Sequence, residues 1–210
     1  QRASAAQENG WFDWEMFTIE IPQRRGDPVM FNSDEGVRST TSEESLAGLR
    51  PVFKKGGQVT AGNASTLNDG ASAVLLAEAE YAQQQGWEIL GYVEDYCTSG
   101  VEPARVMSAP ITAVEMLLER NNLDVLDVDV YEHNEAFASA SCAVAKELNI
   151  PEDRFNLHGG AVSLGHPLGS SGTRCLITML GVMRRVEASS GIVTLCLGGG
   201  NAVAMRVRRA

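Results

Sequence analysis

With 210 residues, 44% of them hydrophobic, the chain is long enough for one domain with an appendage and a substantial buried core. Lys and Arg total 17 against 27 Asp and Glu, a net charge of −10. That balance speaks against a nucleic acid or an anionic membrane as the main partner, while leaving room for a local basic patch that takes a small anion. No apolar run approaches the roughly 20 residues of a membrane span, and Gln1 to Gly10 has no signal-peptide apolar stretch, so a soluble, cytoplasmic protein is expected. Cys97, Cys142, Cys175 and Cys196 are widely separated, with no CxxC pair, which suggests reduced thiols and neither a zinc site nor a disulfide framework.

The chain opens at Gln1, inside what reads as the tail of a helix (Arg2 to Gln7), as though it were part of something longer. Phe17, Ile19 and Ile21 alternate as in a strand, and Arg24 to Arg38, rich in Gly, Asp, Pro and Ser, reads as loop. Thr41 and Glu44 have capping-box spacing before a short helix that ends at Pro51. From Gly70 the pattern becomes regular: a strand over Ala71 to Ala77, a helix over Glu78 to Gln85, a strand over Ile89 to Tyr96 and a helix over Pro110 to Asn121. It continues with a strand over Val125 to Tyr131, helices over Glu135 to Leu148 and Gly169 to Val186, and paired strands over Ile192 to Cys196 and Ala202 to Val207. Short β-branched strands interleaved with helices predict an α/β layered domain with a mixed sheet over residues 68–210, preceded by a less regular region over 1–67.

Three motifs in the last third carry reactive side chains among glycines or at element ends: His133-Asn134-Glu135-Ala136-Phe137-Ala138, Gly165-His166-Pro167-Leu168-Gly169 and Cys196-Leu197-Gly198-Gly199-Gly200. Cys196 ends a strand beside bare amide groups that can stabilise a thiolate or a developing oxyanion; a small thiol packed at the end of a core strand would explain it as well. His166 precedes a helix start and can exchange a proton with a thiol, although a loop histidine is more often an ordinary hydrogen-bonding residue. Asn134 offers donor and acceptor at a strand-to-helix junction, where it could equally be a helix N-cap.

Taken together with Gln1-Arg2-Ala3-Ser4-Ala5-Ala6-Gln7, Leu49-Arg50-Pro51 and Thr60-Ala61-Gly62-Asn63-Ala64-Ser65, these motifs make the chain resemble the C-terminal half of a thiolase over essentially its whole length. The resemblance implies the thiolase fold, with the end of the loop domain at 1–67 and the C-terminal domain at 68–210. It implies a ping-pong acyl transfer: condensation of two acetyl-CoA to acetoacetyl-CoA, or thiolytic cleavage of a 3-ketoacyl-CoA. CoA and acyl-CoA are then substrates, and no permanently bound cofactor or metal is expected. By position, His166 would activate a nucleophilic cysteine and help bind the thioester oxygen, and Cys196 would move the proton on the α-carbon of the acetyl unit. Asn134 would hold a water that completes an oxyanion site with His166, and the Gly198 amide would serve a second one. Ser65 would touch the pantetheine arm, and Arg38 would lie near the nucleotide end of CoA.

The acylated cysteine of a thiolase lies in a CxSG-type motif of the N-terminal half. Cys97-Thr98-Ser99-Gly100 imitates that pattern, but its neighbours match a non-catalytic strand and loop, so its role is read as structural. The expectation is therefore that a missing N-terminal half or a partner chain supplies the nucleophile, within a homo- or hetero-oligomer. The competing expectation is a non-catalytic CoA-binding or scaffolding subunit. His133, His158 and Asn201-Ala202 depart from the usual residues and bear on substrate fit or on the acidity of the site rather than on reaction class.

Overall fold

The computed structural model describes all of residues 1–210. Its centre is a four-stranded mixed sheet in the order β3-β6-β5-β4, built from β3 (Gly91–Gly100), β4 (Val130–His133), β5 (Ser190–Leu197) and β6 (Asn201–Arg209). β4 and β5 run parallel, with His133 level with Thr194, whereas β5 and β6 form an antiparallel hairpin and β3 pairs antiparallel with β6. The parallel pair needs a long crossover, and the chain supplies one through α5 (Ala138–Glu147), α6 (Ala161–Leu164) and α7 (Ser171–Arg185).

Alternation along the strands sorts the core into two layers. Tyr131, Ile192, Ala202 and Ala204 face one way and pack with Val114, Leu117 and Val144 of α4 (Ala109–Arg120) and α5. Val130, Val193 and Val207 face the other way, onto Cys175, Met179, Val182 and Met183 of α7. Side chains of this size each gain about 1.5–3 kcal/mol on full burial, and period two in the strands with period 3.6 in the helices fixes which ones receive it. The expected α/β layered arrangement is present, and no helix is long and apolar enough to cross a membrane.

The first 80 residues are organised differently. α1 (Arg2–Glu8), a hairpin of β1 (Ile19–Ile21) and β2 (Val29–Phe31), α2 (Glu43–Ala47) and the start of α3 (Ala79–Gln84) bury only Ala3, Ser4, Ala6 and Phe12. β2 lies inside the segment expected to be loop, where three apolar residues pair with β1. Ser42, not Thr41, caps α2: its hydroxyl accepts from the Ser45 amide and Ser45 returns the bond, while Thr41 bonds the Arg38 carbonyl.

Three expected elements are corrected. Ala71 to Ala77 forms no strand, because no other segment of the chain pairs with it, and Leu75 and Leu76 are 76% and 71% exposed. Val125–Asp127 is a turn of 3-10 helix held by reciprocal bonds between Asp124 and Asp127, so β4 starts only at Val130. The helix expected from Glu135 begins at Ala138, since Glu135 has φ +61° and cannot continue a right-handed turn.

Candidate active site

The site is assembled where β4 and β5 end side by side, the usual place for ligands in sheets with parallel strands. Asn134 follows β4 directly. Its amide donates to Thr194 O on β5 (3.2 Å), and its carbonyl accepts from Ala161 at the start of α6 (2.9 Å). The backbone is thereby pinned on both sides, which holds Glu135 in a left-handed conformation that costs a side-chain-bearing residue on the order of 1–3 kcal/mol. Asn134 is not a helix cap; α5 begins after Phe137 and has no side-chain cap. Its side chain is buried, and its Nδ2 lies 3.3 Å from His166 Nε2.

His166 is held at both ends. Its backbone amide donates to Thr66 O (3.0 Å) and Asn68 Oδ1 (3.2 Å), and its ring Nδ1 lies 2.6 Å from Ser171 Oγ in the first turn of α7. The close approach of Asn68 depends on Gly165, which has φ +91° and where any Cβ would collide with the Asn68 amide. Burial lowers the pKa of the imidazole, and Arg174 lowers it further, so the neutral base is favoured at neutral pH.

Cys196 occupies the next-to-last position of β5, level with Ala202, and is half-buried. Burial raises its thiol pKa and keeps it protonated at rest. The structure brings Asn134 and His166 into direct contact; Cys196 stands at the end of the adjacent strand with no hydrogen bond to either. The turn beyond it, Gly198 to Gly200, has an exposed Gly198 whose amide donates to no carbonyl of the chain. Gly200, at φ +93°, leaves no room for a Cβ against the Val101 carbonyl, so the loop after β3 closes over this turn.

The two residues expected to meet CoA lie in the first 80. Ser65 donates its amide to Ala136 O (2.9 Å), and neighbouring bonds from Ala138 to Asn63 and from His166 to Thr66 lace this segment along both site loops. Arg38 is exposed and its side chain has no hydrogen-bond or ion-pair partner; its loop touches Ser163 of α6 through Gly36.

The other polar residues sort clearly. Cys97 is buried in β3, with its thiol donating to Ala113 O (3.1 Å), in keeping with the structural reading of its motif. His133 lies on the opposite side of β4 from Asn134, bonded to Ser141 (2.7 Å) and stacked on Phe155, and burial lowers its pKa to about 4. His158 is sandwiched against Trp11 and Phe12 and accepts from Arg185 Nε (2.8 Å); burial, then Arg185, lower its pKa to about 4. Both are neutral packing residues and neither is hydrogen-bonded to Asn134 or His166.

Sequence reasoning missed a buried polar group behind Asn134. Arg174 of α7 contacts Glu132 (3.4 Å) and the Asn134 amide oxygen (3.3 Å), and Glu15 accepts from Thr178 nearby (3.3 Å). Burial raises both Glu132 and Glu15 against the opposing pull of Arg174, as expected for two carboxylates sharing one cation. Two carboxylates, Asp129 and Glu132, interrupt the apolar run Val128 to Glu132, and nothing in their spacing marks Glu132 as the buried one. No cluster of three or more His, Cys, Asp or Glu side chains that could hold a metal ion occurs.

Comparison with known proteins agrees with this geometry. Residues 87–209 match the family model described as thiolase, C-terminal domain, and residues 1–80 match that of thiolase, N-terminal domain. The expectation that the N-terminal half is wholly missing is thereby corrected, since part of this chain itself answers to the N-terminal domain. A probable acetyl-CoA acyltransferase of Staphylococcus aureus is 46% identical over 209 residues, covering 100% of this chain and 53% of the relative. The crystal structure of the Bacillus anthracis acetyl-CoA acetyltransferase superposes with a TM-score of 0.96 at 39% identity, covering 100% of this chain and 53% of that one. Human mitochondrial 3-ketoacyl-CoA thiolase in complex with CoA superposes with a TM-score of 0.94 at 36% identity, covering 100% and 52%. The chain thus spans about half the length of the relatives it matches. On the family match, the identity over its full length and the shared fold, the chain belongs to the thiolase family of acyltransferases.

Proposed function

We propose that these residues perform the proton-transfer and oxyanion-stabilising steps of a CoA-dependent acyl transfer, either thiolysis of a 3-ketoacyl-CoA or the reverse condensation of acetyl-CoA. The observation that carries this reading is the contact between the Asn134 amide and a neutral His166 beside the strand end that holds Cys196. In the thiolytic direction, His166 Nε2 takes the proton of an attacking thiol as it adds to the 3-keto carbon. The imidazolium so formed, with the Asn134 amide beside it, then faces the thioester oxygen of the acetyl unit, where the enolate charge develops. The bond between the α-carbon and the 3-keto carbon breaks, its electron pair passes into the enolate of acetyl-CoA, and Cys196 gives its thiol proton to the α-carbon. A thiol that burial keeps protonated suits that donor role.

The Gly198 amide, exposed and without an acceptor, is placed to serve a second oxyanion. Ser65, laced beside the Asn134 loop, is assigned to the pantetheine arm, and Arg38, an unpaired cation, to the nucleotide end of CoA. The thiol that takes the acyl group is none of Cys97, Cys142 and Cys175. Cys97 is committed to Ala113 O, Cys175 is sealed behind Asn134 with burial raising its pKa to about 12, and Cys142 is exposed on α5.

Release of acetyl-CoA from acetoacetyl-CoA and CoA, assayed with the acyl-accepting cysteine supplied by a complementing thiolase segment, tests the reading. Cys196→Ala and His166→Ala are each expected to lower that turnover by roughly 10²-fold or more with CoA affinity retained. Undiminished turnover in either variant would overturn the assignment. CoA binding without turnover in the complemented, unsubstituted protein would instead favour a non-catalytic CoA-binding subunit.

A further inference from the structure

We infer that Arg174, held by Glu132, is a positioning residue that fixes the Asn134 amide and through it the tautomer of His166, keeping Nε2 unprotonated as the base requires. The inference rests on the acyl-transfer reading above for its purpose, but its geometry stands apart from it.

Donors and acceptors follow one another along a single chain of contacts from Arg174 to Pro167. A guanidinium can only donate. Arg174 Nη2 lies 3.3 Å from one oxygen or nitrogen of the Asn134 amide, and that atom must therefore be the oxygen; the Cys175 thiol, 3.6 Å away, points at the same atom. The NH2 end is then turned to His166, where it too can only donate, so Nε2 at 3.3 Å must be the unprotonated ring nitrogen. The ring proton sits on Nδ1 and goes to Ser171 Oγ (2.6 Å), whose own proton goes to Pro167 O (3.0 Å). Apart from Arg174 Nε, which is buried without a partner, each donor in the series has an acceptor, and reversing the Asn134 amide would set a donor against Arg174.

The strand explains why one arginine suffices. Glu132 and Asn134 are two apart on β4 and its continuation, so they leave the sheet on the same face, about 7 Å apart, within the span of a guanidinium fork reaching up from α7. Glu15, after α1, and Asp34 lie within electrostatic reach of Arg174, but only Glu132 and Asn134 bond to its guanidinium.

The test reads ring protonation rather than turnover. The chain has only three histidines, so long-range 1H–15N correlation spectra of histidine-labelled protein resolve each ring, and His166→Asn assigns one set. The unsubstituted protein is expected to show His166 as the Nδ1–H tautomer, and Arg174→Lys, which keeps a donor, to retain it. Arg174→Met, which frees the amide to turn, is expected to give a mixture with Nε2–H while the His133 and His158 signals stay fixed. Should Arg174→Met fail to fold, Asn134→Asp puts an acceptor against the ring and is expected to impose Nε2–H. An Nε2–H tautomer in the unsubstituted protein, or an unchanged Nδ1–H tautomer in both Arg174→Met and Asn134→Asp, would overturn the inference. Because no substrate is present, loss of thiolase activity elsewhere leaves the result intact, and a tautomer shift without any thioester chemistry would sink the functional reading alone.

Discussion

Residues 87–209 and residues 1–80 obey the same local rules and reach different ends. In the first region every strand has a neighbour and both faces of the sheet are covered, with Leu117, Val144, Met179 and Ile192 fully buried. In the second, only four residues are buried, while Phe17, Phe53, Leu67 and Leu75 are each at least 76% exposed. Apolar side chains alone do not make a core. The segment that contains them must also find a partner that completes its hydrogen bonds, and the strand-like run Ala71 to Ala77 finds none in this chain. The contribution of residues 1–80 is instead one of placement: through Asn63, Ser65 and Thr66 they are stitched to the site loops.

That contrast can be broken by substitution. Leu117→Ala in the α4 core is expected to cost about 2–5 kcal/mol in urea unfolding, whereas Leu75→Ser in the exposed run should stay within about 0.5 kcal/mol. Equal costs would show that residues 1–80 share the cooperative core. A smaller effect, of about 2 kcal/mol, is expected from His158, which joins the two regions by packing Trp11 and Phe12, just beyond α1, beside Arg185 of α7. Its folded pKa of about 4 lies below the ordinary value of 6.5, so its stabilising effect is present above pH 6.5 and is lost as pH falls toward 4. The stability advantage over His158→Gln should shrink by about 2 kcal/mol between pH 7 and 5; a constant difference across that range would contradict the neutral, buried imidazole. A purely local effect concerns α2, which buries nothing: Ser42→Ala should weaken that helix by about 1 kcal/mol in local hydrogen exchange and leave the global transition in place.

The same contrast governs what could be read from the sequence. α4 was legible because Pro110, Ala113, Val114, Leu117 and Leu118 recur at helical spacing and the helix packs as its pattern implies. The hairpin strand Val29–Phe31 was not, since three apolar residues between turn formers carry too little periodicity. At the site, Asn134, His166, Cys196 and Gly198 stood out by their settings at element ends or among glycines, and the first two meet in space. Arg174, Glu132 and Glu15 did not stand out, because a charge neutralised across a sheet and a helix leaves no trace in the spacing of either. Ser171, five residues after His166, was passed over for the same reason.

The most direct test of the central claim is exchange of the α-hydrogens of acetyl-CoA with solvent deuterium, followed by NMR of the acetyl methyl group. It isolates the step assigned to Cys196, Asn134 and His166 and requires no acyl transfer. The account predicts exchange above the uncatalysed rate that falls by roughly 10²-fold or more in Cys196→Ala and by roughly 2.7–4 kcal/mol of transition-state stabilisation when Asn134 is replaced by Ala. Exchange at the uncatalysed rate, or exchange that persists unchanged in Cys196→Ala, would contradict it.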